Sequence, residues 1–204
     1  MRRKGFELRA TARRHSGFSL TELVVALAVA MVLLAVGLPA FMRFYHSYQL
    51  TNAATQVRDY LRLARYEAIR QNKQISLQIK PFTGNPGMTI LWVDSNGNGI
   101  QDPTEMMTLL GTSGSLVDSG SVPGVTSLVS GAAIGSYATN SPSPTSAVIW
   151  FDARGAVVPP TSVNLFFLQS TVAPEAGYRA VLLLPAGSMQ MWTADTTGNW
   201  QQIQ

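Results

Sequence analysis

The stretch Leu23–Met42, LVVALAVAMVLLAVGLPAFM, decides the architecture of this 204-residue chain. Its twenty residues carry no charge. As a helix that rises about 1.5 Å per residue they would span about 30 Å, the thickness of the hydrocarbon core of a bilayer. Residues 1–17 carry six basic side chains and one acidic side chain. Basic residues before an apolar run predict a membrane-spanning helix with a cytoplasmic N-terminus.

Three kinds of N-terminal segment share this pattern. A secretory signal peptide has a shorter apolar core followed by small residues at a cleavage site, and a plain single-span anchor needs only the length. Neither explains Glu22, an acidic side chain at the start of the apolar run. A carboxylate at the centre of a bilayer costs about 2.5–3.5 kcal/mol, so an acidic residue in such a segment usually marks a function with a specific partner.

The third kind of N-terminal segment is indicated by the stretch Gly17-Phe18-Ser19-Leu20-Thr21-Glu22-Leu23. This stretch resembles the class III leader junction of type IV prepilins. That motif has a basic leader ending in Gly, then Phe, a Glu at the fifth mature position and an apolar helix. The resemblance implies that prepilin peptidase cuts between Gly17 and Phe18 and that the new amine of Phe18 is methylated. It also implies that Glu22 neutralises the N-terminal amine of a neighbouring subunit, since a buried carboxylate needs an opposite charge. Pro39 lies where type IV pilins often carry a proline that kinks the helix.

The helical pattern continues beyond the apolar run and becomes amphipathic. Small and aliphatic residues recur three or four positions apart, which predicts one buried stripe: Leu50, Ala54, Val57, Leu61, Ala64 and Ala68. No Gly or Pro occurs between Ala40 and Lys80, so we predict one long helix over 18–72, with a membrane part at about 18–42 and an amphipathic part at about 43–72. Its last segment, VRDYLRLARYEAIRQN, resembles a stretch of the GspH/FimT family, which joins minor pseudopilins of type II secretion with minor type IV pilins.

From residue 73 the helical period gives way to short strand candidates separated by Gly, Pro, Asn and Ser. We therefore predict an α+β fold, in which the long transmembrane and amphipathic helix packs on a C-terminal antiparallel β-sandwich-like, pilin-like domain over 73–204. The segment 113–146 is dominated by Ser, Gly, Thr, Ala and Pro. It is interpreted as long loops with a weak strand at 125–129. The composition of the segment is compatible with either a subunit-contact surface or a disordered loop.

One loop has the residue pattern of a calcium site. The twelve residues from Asp94 to Glu105 fit D-x-N-x-N-G-x-x-x-x-x-E, and the ligand positions would be Asp94, Asn96, Asn98, Ile100, Asp102 and Glu105. The alternative is a β-hairpin tip, because Asn-Gly pairs make tight turns and strands flank the loop on both sides. A similar stretch is common in the GspH/FimT family, and this resemblance favours the hairpin. We therefore predict no cofactor, and a calcium ion bound in this loop is the alternative prediction.

An enzyme is not predicted. The chain has no Cys and only two His, His15 in the leader and His46 at the membrane edge. Asp152, Arg154 and Asp195 do not complete a set of nucleophile, base and orienting group with either His. The FDARG stretch that contains Asp152 is interpreted instead as a strand–turn–strand with Gly155 at the turn.

The high pI of about 9.7 does not indicate a nucleic-acid partner. Without residues 1–17, nine basic residues remain against ten acidic ones. FimT-like DNA-uptake pilins are the rival prediction, and some carry a Gly-Arg-x-Arg element where this chain has Gly187-Ser188-Met189-Gln190-Met191, without arginine. The prediction is a minor pseudopilin of the type II secretion pseudopilus, or a FimT-like minor type IV pilin. It crosses the inner membrane once, has a periplasmic β domain, and has prepilin peptidase, other pilins and the inner-membrane assembly platform as partners.

Overall fold

The computed structural model describes residues 19–85, 87–135, 137–143 and 146–203. The chain divides into two compact units, Met1–Ala40 and Phe41–Gln204. The predicted leader and cleavage residues, Gly17 and Phe18, lie outside the described residues.

The described elements comprise two α-helices, two short 3-10 turns at Ser119–Ser121 and Pro174–Ala176, and eleven strands. In chain order the helices and strands are α1 (Leu20–Gln71), β1 (Ile75–Pro81), β2 (Thr89–Asp94), β3 (Met107–Leu110), β4 (Ser115–Val117), α2 (Val125–Gly131), β5 (Ala138–Asn140), β6 (Ala147–Phe151), β7 (Val157–Val158), β8 (Ser162–Gln169), β9 (Tyr178–Leu183), β10 (Met189–Ala194) and β11 (Trp200–Ile203).

In the first unit, α1 has the length and composition of a membrane span and is the only such helix among the described residues. Every described residue up to Ala40 is exposed, including large apolar side chains such as Leu33 and Val36. A helix that is apolar on all sides and has no covering from its own chain requires lipid or other helices around it.

In the second unit the strands form two sheets. The first has the order β3-β2-β1-β6-β7, and the second has the order β11-β10-β9-β8-β4, with β5 also paired to β8. All pairs are antiparallel except β5 with β8, which is parallel. Apart from that pair, the two sheets confirm the predicted α+β architecture.

The main core joins the second half of α1 to one face of each sheet. The six residues of the predicted stripe are all buried in it, together with Leu77 and Ile79 of β1 and Phe166 and Val181 of the second sheet. Small residues occupy half of the stripe: the alanines at 54, 64 and 68 are all fully buried.

A second core lies on the other face of the second sheet, and here the sequence-based prediction was wrong. Residues 125–129 do not form a weak strand but belong to α2. Leu128 is fully buried in this core beside Phe167 and Trp192, with Val125 and Val129 partly buried around it. Spacings of three and four residues place these side chains on one helix face, so packing on the sheet overrides the low helix propensity of VTSLVSG.

Gly114 marks a close approach between α1 and the connection from β3 to β4. A Cβ built on Gly114 would lie 2.2 Å from the Cβ of Ala53. We expect Gly114→Ala to lower the free energy of unfolding by about 1–3 kcal/mol because it overpacks this contact. Urea denaturation would measure the loss. Adding Ala53→Gly should recover part of it, after its own helix-propensity cost of about 1 kcal/mol; strictly additive losses would contradict this explanation.

Candidate functional site

The start of α1 carries the predicted assembly residue Glu22. Ser19 precedes the helix, and its Oγ accepts a hydrogen bond from the backbone N–H of Glu22 at 3.2 Å. Its carbonyl accepts the N–H of Leu23 at 3.2 Å. Ser19 is therefore the N-cap, and Ser-x-x-Glu is the pattern of a capping box. This Ser19-x-x-Glu22 spacing is visible in the sequence, but the cap was not among the predicted features.

Glu22 lies at the third position of the helix and is exposed. A carboxylate there is favoured by the positive end of the helix dipole, so Glu22 has a local role in the isolated chain. Its predicted role, pairing with the amine of another subunit, stays a prediction. Pro39 lies inside α1, one residue before the boundary between the two compact units at Ala40 and Phe41. Proline cannot donate the backbone hydrogen bond of a helix interior, which is the basis of the predicted kink. That kink also stays a prediction.

Arg179 ties α1 to the second sheet just beyond the apolar segment. Its Nε donates to Oγ1 of Thr51 at 3.0 Å, and its Nη2 donates to Oγ of Ser47 at 2.8 Å. Its Nη1 donates to the carbonyls of Tyr178 and Ala176 at 2.9 and 3.4 Å. The residue is only 6% exposed, and this burial lowers the pKa of the guanidinium from its usual value.

The loop 95–106 connects β2 and β3, which pair as an antiparallel hairpin. Asp94 is almost fully buried, and its two carboxylate oxygens accept the backbone N–H groups of Gly97 at 2.7 Å and Gly99 at 2.9 Å. Both glycines have positive φ, 81° and 71°, a conformation that favours glycine. Asn96 and Asn98 each accept the N–H two residues on, at 2.9 and 2.8 Å. The Asn-Gly pairs therefore make the tight turns expected of a hairpin tip.

The acidic residues at the end of the loop close it. Glu105 accepts the N–H of Ser95 at 2.9 Å and of Asp102 at 3.2 Å, one with each carboxylate oxygen. Asp102 accepts the side-chain amides of Asn96 and Asn98 at 2.6 and 2.9 Å. The side chains of Asp94, at the end of β2, and of Asn96, Asn98, Asp102 and Glu105 thus accept N–H groups of this loop. The sixth predicted ligand, Ile100, donates its backbone N–H to Asn98. No three His, Cys, Asp or Glu side chains within the described ranges converge as a metal site, and calcium binding stays a prediction.

The hairpin interpretation makes a measurable prediction at Glu105. We expect Glu105→Ala to lower the free energy of unfolding by about 1–3 kcal/mol because two N–H groups lose their acceptor. The loss should be the same in a calcium chelator and in millimolar calcium. A melting temperature that calcium raises in the wild type and not in the variant would establish the metal site instead. Asp118→Asn, at an exposed acid elsewhere, is the matched control.

The residues considered for catalysis stabilise separate turns. One oxygen of Asp152 accepts the N–H groups of Arg154 and Ala156 at 2.9 and 2.8 Å, and Gly155 has φ 80°. FDARG is therefore the predicted strand–turn–strand between β6 and β7. Asp195 accepts hydrogen bonds from Thr197 and Asn199 in the β10–β11 turn, which lower the pKa of its carboxyl well below the ordinary value.

The segment compared with the DNA-uptake element lies at the β9–β10 turn. Gly187 packs against the carbonyl of Gly155 and the side chain of Arg65, and a Cβ there would meet that carbonyl at 2.1 Å. Met189–Ala194 then forms β10, in which Met191 is buried.

Comparison with known proteins identifies the family. Residues 53–187 match the model of the family described as Type II transport protein GspH, and residues 12–38 match the prokaryotic N-terminal methylation motif. The chain is 37% identical over 89 residues to the pilin-like protein PilA1 of Thermus thermophilus, covering 44% of this chain and 54% of that protein. It thus spans about half the length of this curated relative.

Two crystal structures of the type IV minor pilin FimU of Pseudomonas aeruginosa are also similar. The hexagonal crystal form is 21% identical with a TM-score of 0.45, covering 76% of this chain and 98% of that one. The monoclinic crystal form is 19% identical with a TM-score of 0.47, covering 79% and 97%. Because the GspH model matches well over half of the sequence, the chain belongs to the GspH family of type II transport proteins.

Proposed function

We propose that this chain is a minor pseudopilin, a structural subunit of the type II secretion pseudopilus that is cleaved after Gly17 and methylated at Phe18. Its role as a pilin- or pseudopilin-type structural subunit follows from the family and the methylation motif. One observation carries the proposal: α1 begins in an acidic turn and exposes a membrane-length apolar surface on all sides. Such a surface is stable in lipid and, after extraction, against the helices of other subunits.

The proposed topology follows from the charges around the span. The basic residues 1–17 stay in the cytoplasm, α1 crosses the inner membrane once, and the β-rich unit lies in the periplasm. Prepilin peptidase, other pilin-type subunits and the inner-membrane assembly platform are the proposed partners. The subunit performs no catalysis; it acts by packing in the filament, and its loop 95–106 needs no cofactor.

The second candidate function is that of a FimT-like minor type IV pilin, in pilus biogenesis or DNA uptake. The 37% identity to a pilin-like protein favours this candidate. The exposed apolar helix is compatible with either kind of filament. The β9–β10 segment, in which no arginine stands between Gly187 and Met191, supports pilus biogenesis rather than DNA uptake within this candidate.

Mass spectrometry of the chain from its own host tests the proposed processing. The expected mature N-terminus is Phe18 carrying one added methyl group, and the uncleaved form should accumulate in a strain without prepilin peptidase. Deletion of the gene should then block release of secreted enzymes and leave surface pili intact. Loss of pili with normal secretion would favour the second candidate, and a mature chain that starts elsewhere would contradict both.

A further inference from the structure

Charged and aromatic side chains follow the apolar run of α1 directly. Arg43 is the first charged residue after the uncharged stretch 23–42. Four aromatic side chains around it are each 45–71% exposed: Phe41, Phe44, Tyr45 and Tyr48. Aromatic residues at the end of a membrane span typically lie at the level of the lipid headgroups, where the ring contacts acyl chains and its polar edge meets water. This part of α1 therefore has the composition of a membrane–water interface.

A pocket opens here between α1 and the loop that joins β8 to β9, and we call it the interface pocket. It has a volume of about 350 Å³ and is lined by Arg43, His46, Ser47, Glu175 and Ala176, all in the second compact unit. Residues 43–47 extend at most about 8 Å along the helix axis beyond the apolar run, which is about the thickness of the headgroup layer on one side of a bilayer. When the run spans the hydrocarbon core, the pocket therefore lies at the depth of the headgroups.

The interface pocket carries one cation and one anion that have no partner in the described part of the chain. Arg43 and Glu175 are both exposed, and neither forms a salt bridge or a side-chain hydrogen bond with another described residue. An adjoining cavity, which shares Glu175, also contains Arg179 and Asp195. Those two are occupied, because Arg179 donates to hydroxyls and carbonyls and Asp195 accepts hydrogen bonds from its own turn. The interface pocket thus offers charges of both signs to a ligand.

A zwitterion with a phosphate and a primary ammonium matches these two groups. The planar guanidinium of Arg43 can donate two hydrogen bonds to phosphate oxygens. His46 lines the same pocket and keeps at least one ring N–H donor in either protonation state. The carboxylate of Glu175 can accept the N–H groups of an ammonium. A phosphoglycerol headgroup lacks the cation and a phosphocholine headgroup has no N–H to donate, so of these three headgroups the pair selects phosphoethanolamine.

We propose that the interface pocket binds the phosphoethanolamine headgroup of a membrane phospholipid, with Arg43 on the phosphate and Glu175 on the ammonium. The exposed aromatic side chains that flank Arg43 give the acyl chains an apolar surface, which favours a lipid over a soluble zwitterion. The contact holds the β-rich unit at the periplasmic leaflet while the subunit awaits assembly, and extraction into the filament breaks it. This inference rests on the proposed function, through its membrane-spanning topology.

Native mass spectrometry of the full-length chain in a mild detergent tests the headgroup preference. Phosphatidylethanolamine, phosphatidylcholine and phosphatidylglycerol with identical acyl chains would be titrated separately. The wild type is expected to bind phosphatidylethanolamine about fivefold more tightly than either of the other two lipids, which is the size expected of one exposed charge pair.

Variants separate the two halves of the headgroup. Glu175→Gln should remove the preference over phosphatidylcholine, and Glu175→Lys should shift the preference to phosphatidylglycerol. Arg43→Gln should weaken the binding of all three lipids, because each of them carries the phosphate. Asp118→Asn and Arg154→Gln, at exposed charges elsewhere, are the matched controls and should bind the lipids as the wild type does.

Other results overturn the proposal. Equal binding of the three lipids by the wild type would show that the pocket recognises no headgroup, and a preference for phosphatidylglycerol would show that Arg43 acts alone. Soluble phosphoethanolamine that binds as tightly as the lipid would show that the occupant is not a lipid. Alkaline carbonate extraction of host membranes separates this inference from the proposed function. A chain that stays in the membrane pellet without a headgroup preference contradicts the inference alone, whereas a chain that is released contradicts the membrane topology and the proposed function with it.

Discussion

Glu22→Gln is expected to leave cleavage after Gly17 intact and to reduce incorporation into filaments by about a hundredfold or more. In the proposed filament the carboxylate pairs with the N-terminal amine of a neighbour. Removing one partner of a buried ion pair costs about 3–5 kcal/mol because the remaining charge stays buried and unpaired. Quantitative immunoblots of processed chain in membranes and in sheared filaments would measure both steps.

The capping box makes Gln the decisive replacement. Glu or Gln at the third helical position can reach back to the N-cap backbone, so Glu22→Gln keeps the capping pattern with Ser19 and removes only the charge. Glu22→Ala removes both, and Ser19→Ala removes the cap and keeps the charge. If pairing with the amine is the function, both Glu22 variants fail to assemble and Ser19→Ala assembles. Normal assembly of Glu22→Gln alongside failure of Ser19→Ala would show that Glu22 acts only at the helix start.

The long helix and the larger strands could be predicted because their signals are local. The stripe from Leu50 to Ala68 repeats at helical spacing, and strands such as β8 and β9 are continuous runs of buried, mostly apolar residues. Short strands carry too few residues for a period, so β4 and β5, which lie inside the segment interpreted as long loops, were missed. Helix α2 was misassigned because its β-branched residues favour a strand locally, and only the sheet beneath Leu128 selects the helix.

The candidate site divides in the same way. Glu22, Pro39 and the polar residues of the loop from Asp94 to Glu105 could be singled out because each belongs to a motif with fixed spacing, and their assembly and calcium roles stay predictions. Arg179 was not recognisable, because its partners Ser47 and Thr51 lie about 130 residues earlier and nothing in the sequence distinguishes it from an exposed arginine.

Arg179→Ala is expected to lower the free energy of unfolding by about 2–4 kcal/mol. Two effects oppose each other here. Burial of a cation without a carboxylate partner is costly, whereas hydrogen bonds to a charged donor contribute about 1.5–3 kcal/mol each. Four acceptors, two hydroxyls and two carbonyls, lie within hydrogen-bond distance of the guanidinium. Because alanine leaves these acceptors unsatisfied around an empty volume, the lost hydrogen bonds outweigh the relief of desolvation.

Urea denaturation of the detergent-solubilised full chain would measure the loss through tryptophan fluorescence, since all four tryptophans lie on strands of the β-rich unit. Arg179→Met fills most of the volume and removes the charge, so its loss should be smaller, at about 1–2 kcal/mol. Arg154→Ala, at an exposed arginine, is the matched control and should change stability by less than about 0.5 kcal/mol. The double variant Ser47→Ala with Thr51→Ala should approach the loss of Arg179→Ala, because it leaves the buried guanidinium without its two acceptors on α1. Equal stability of Arg179→Ala and the wild type would show that desolvation cancels these hydrogen bonds and that core packing alone holds α1 against the sheet.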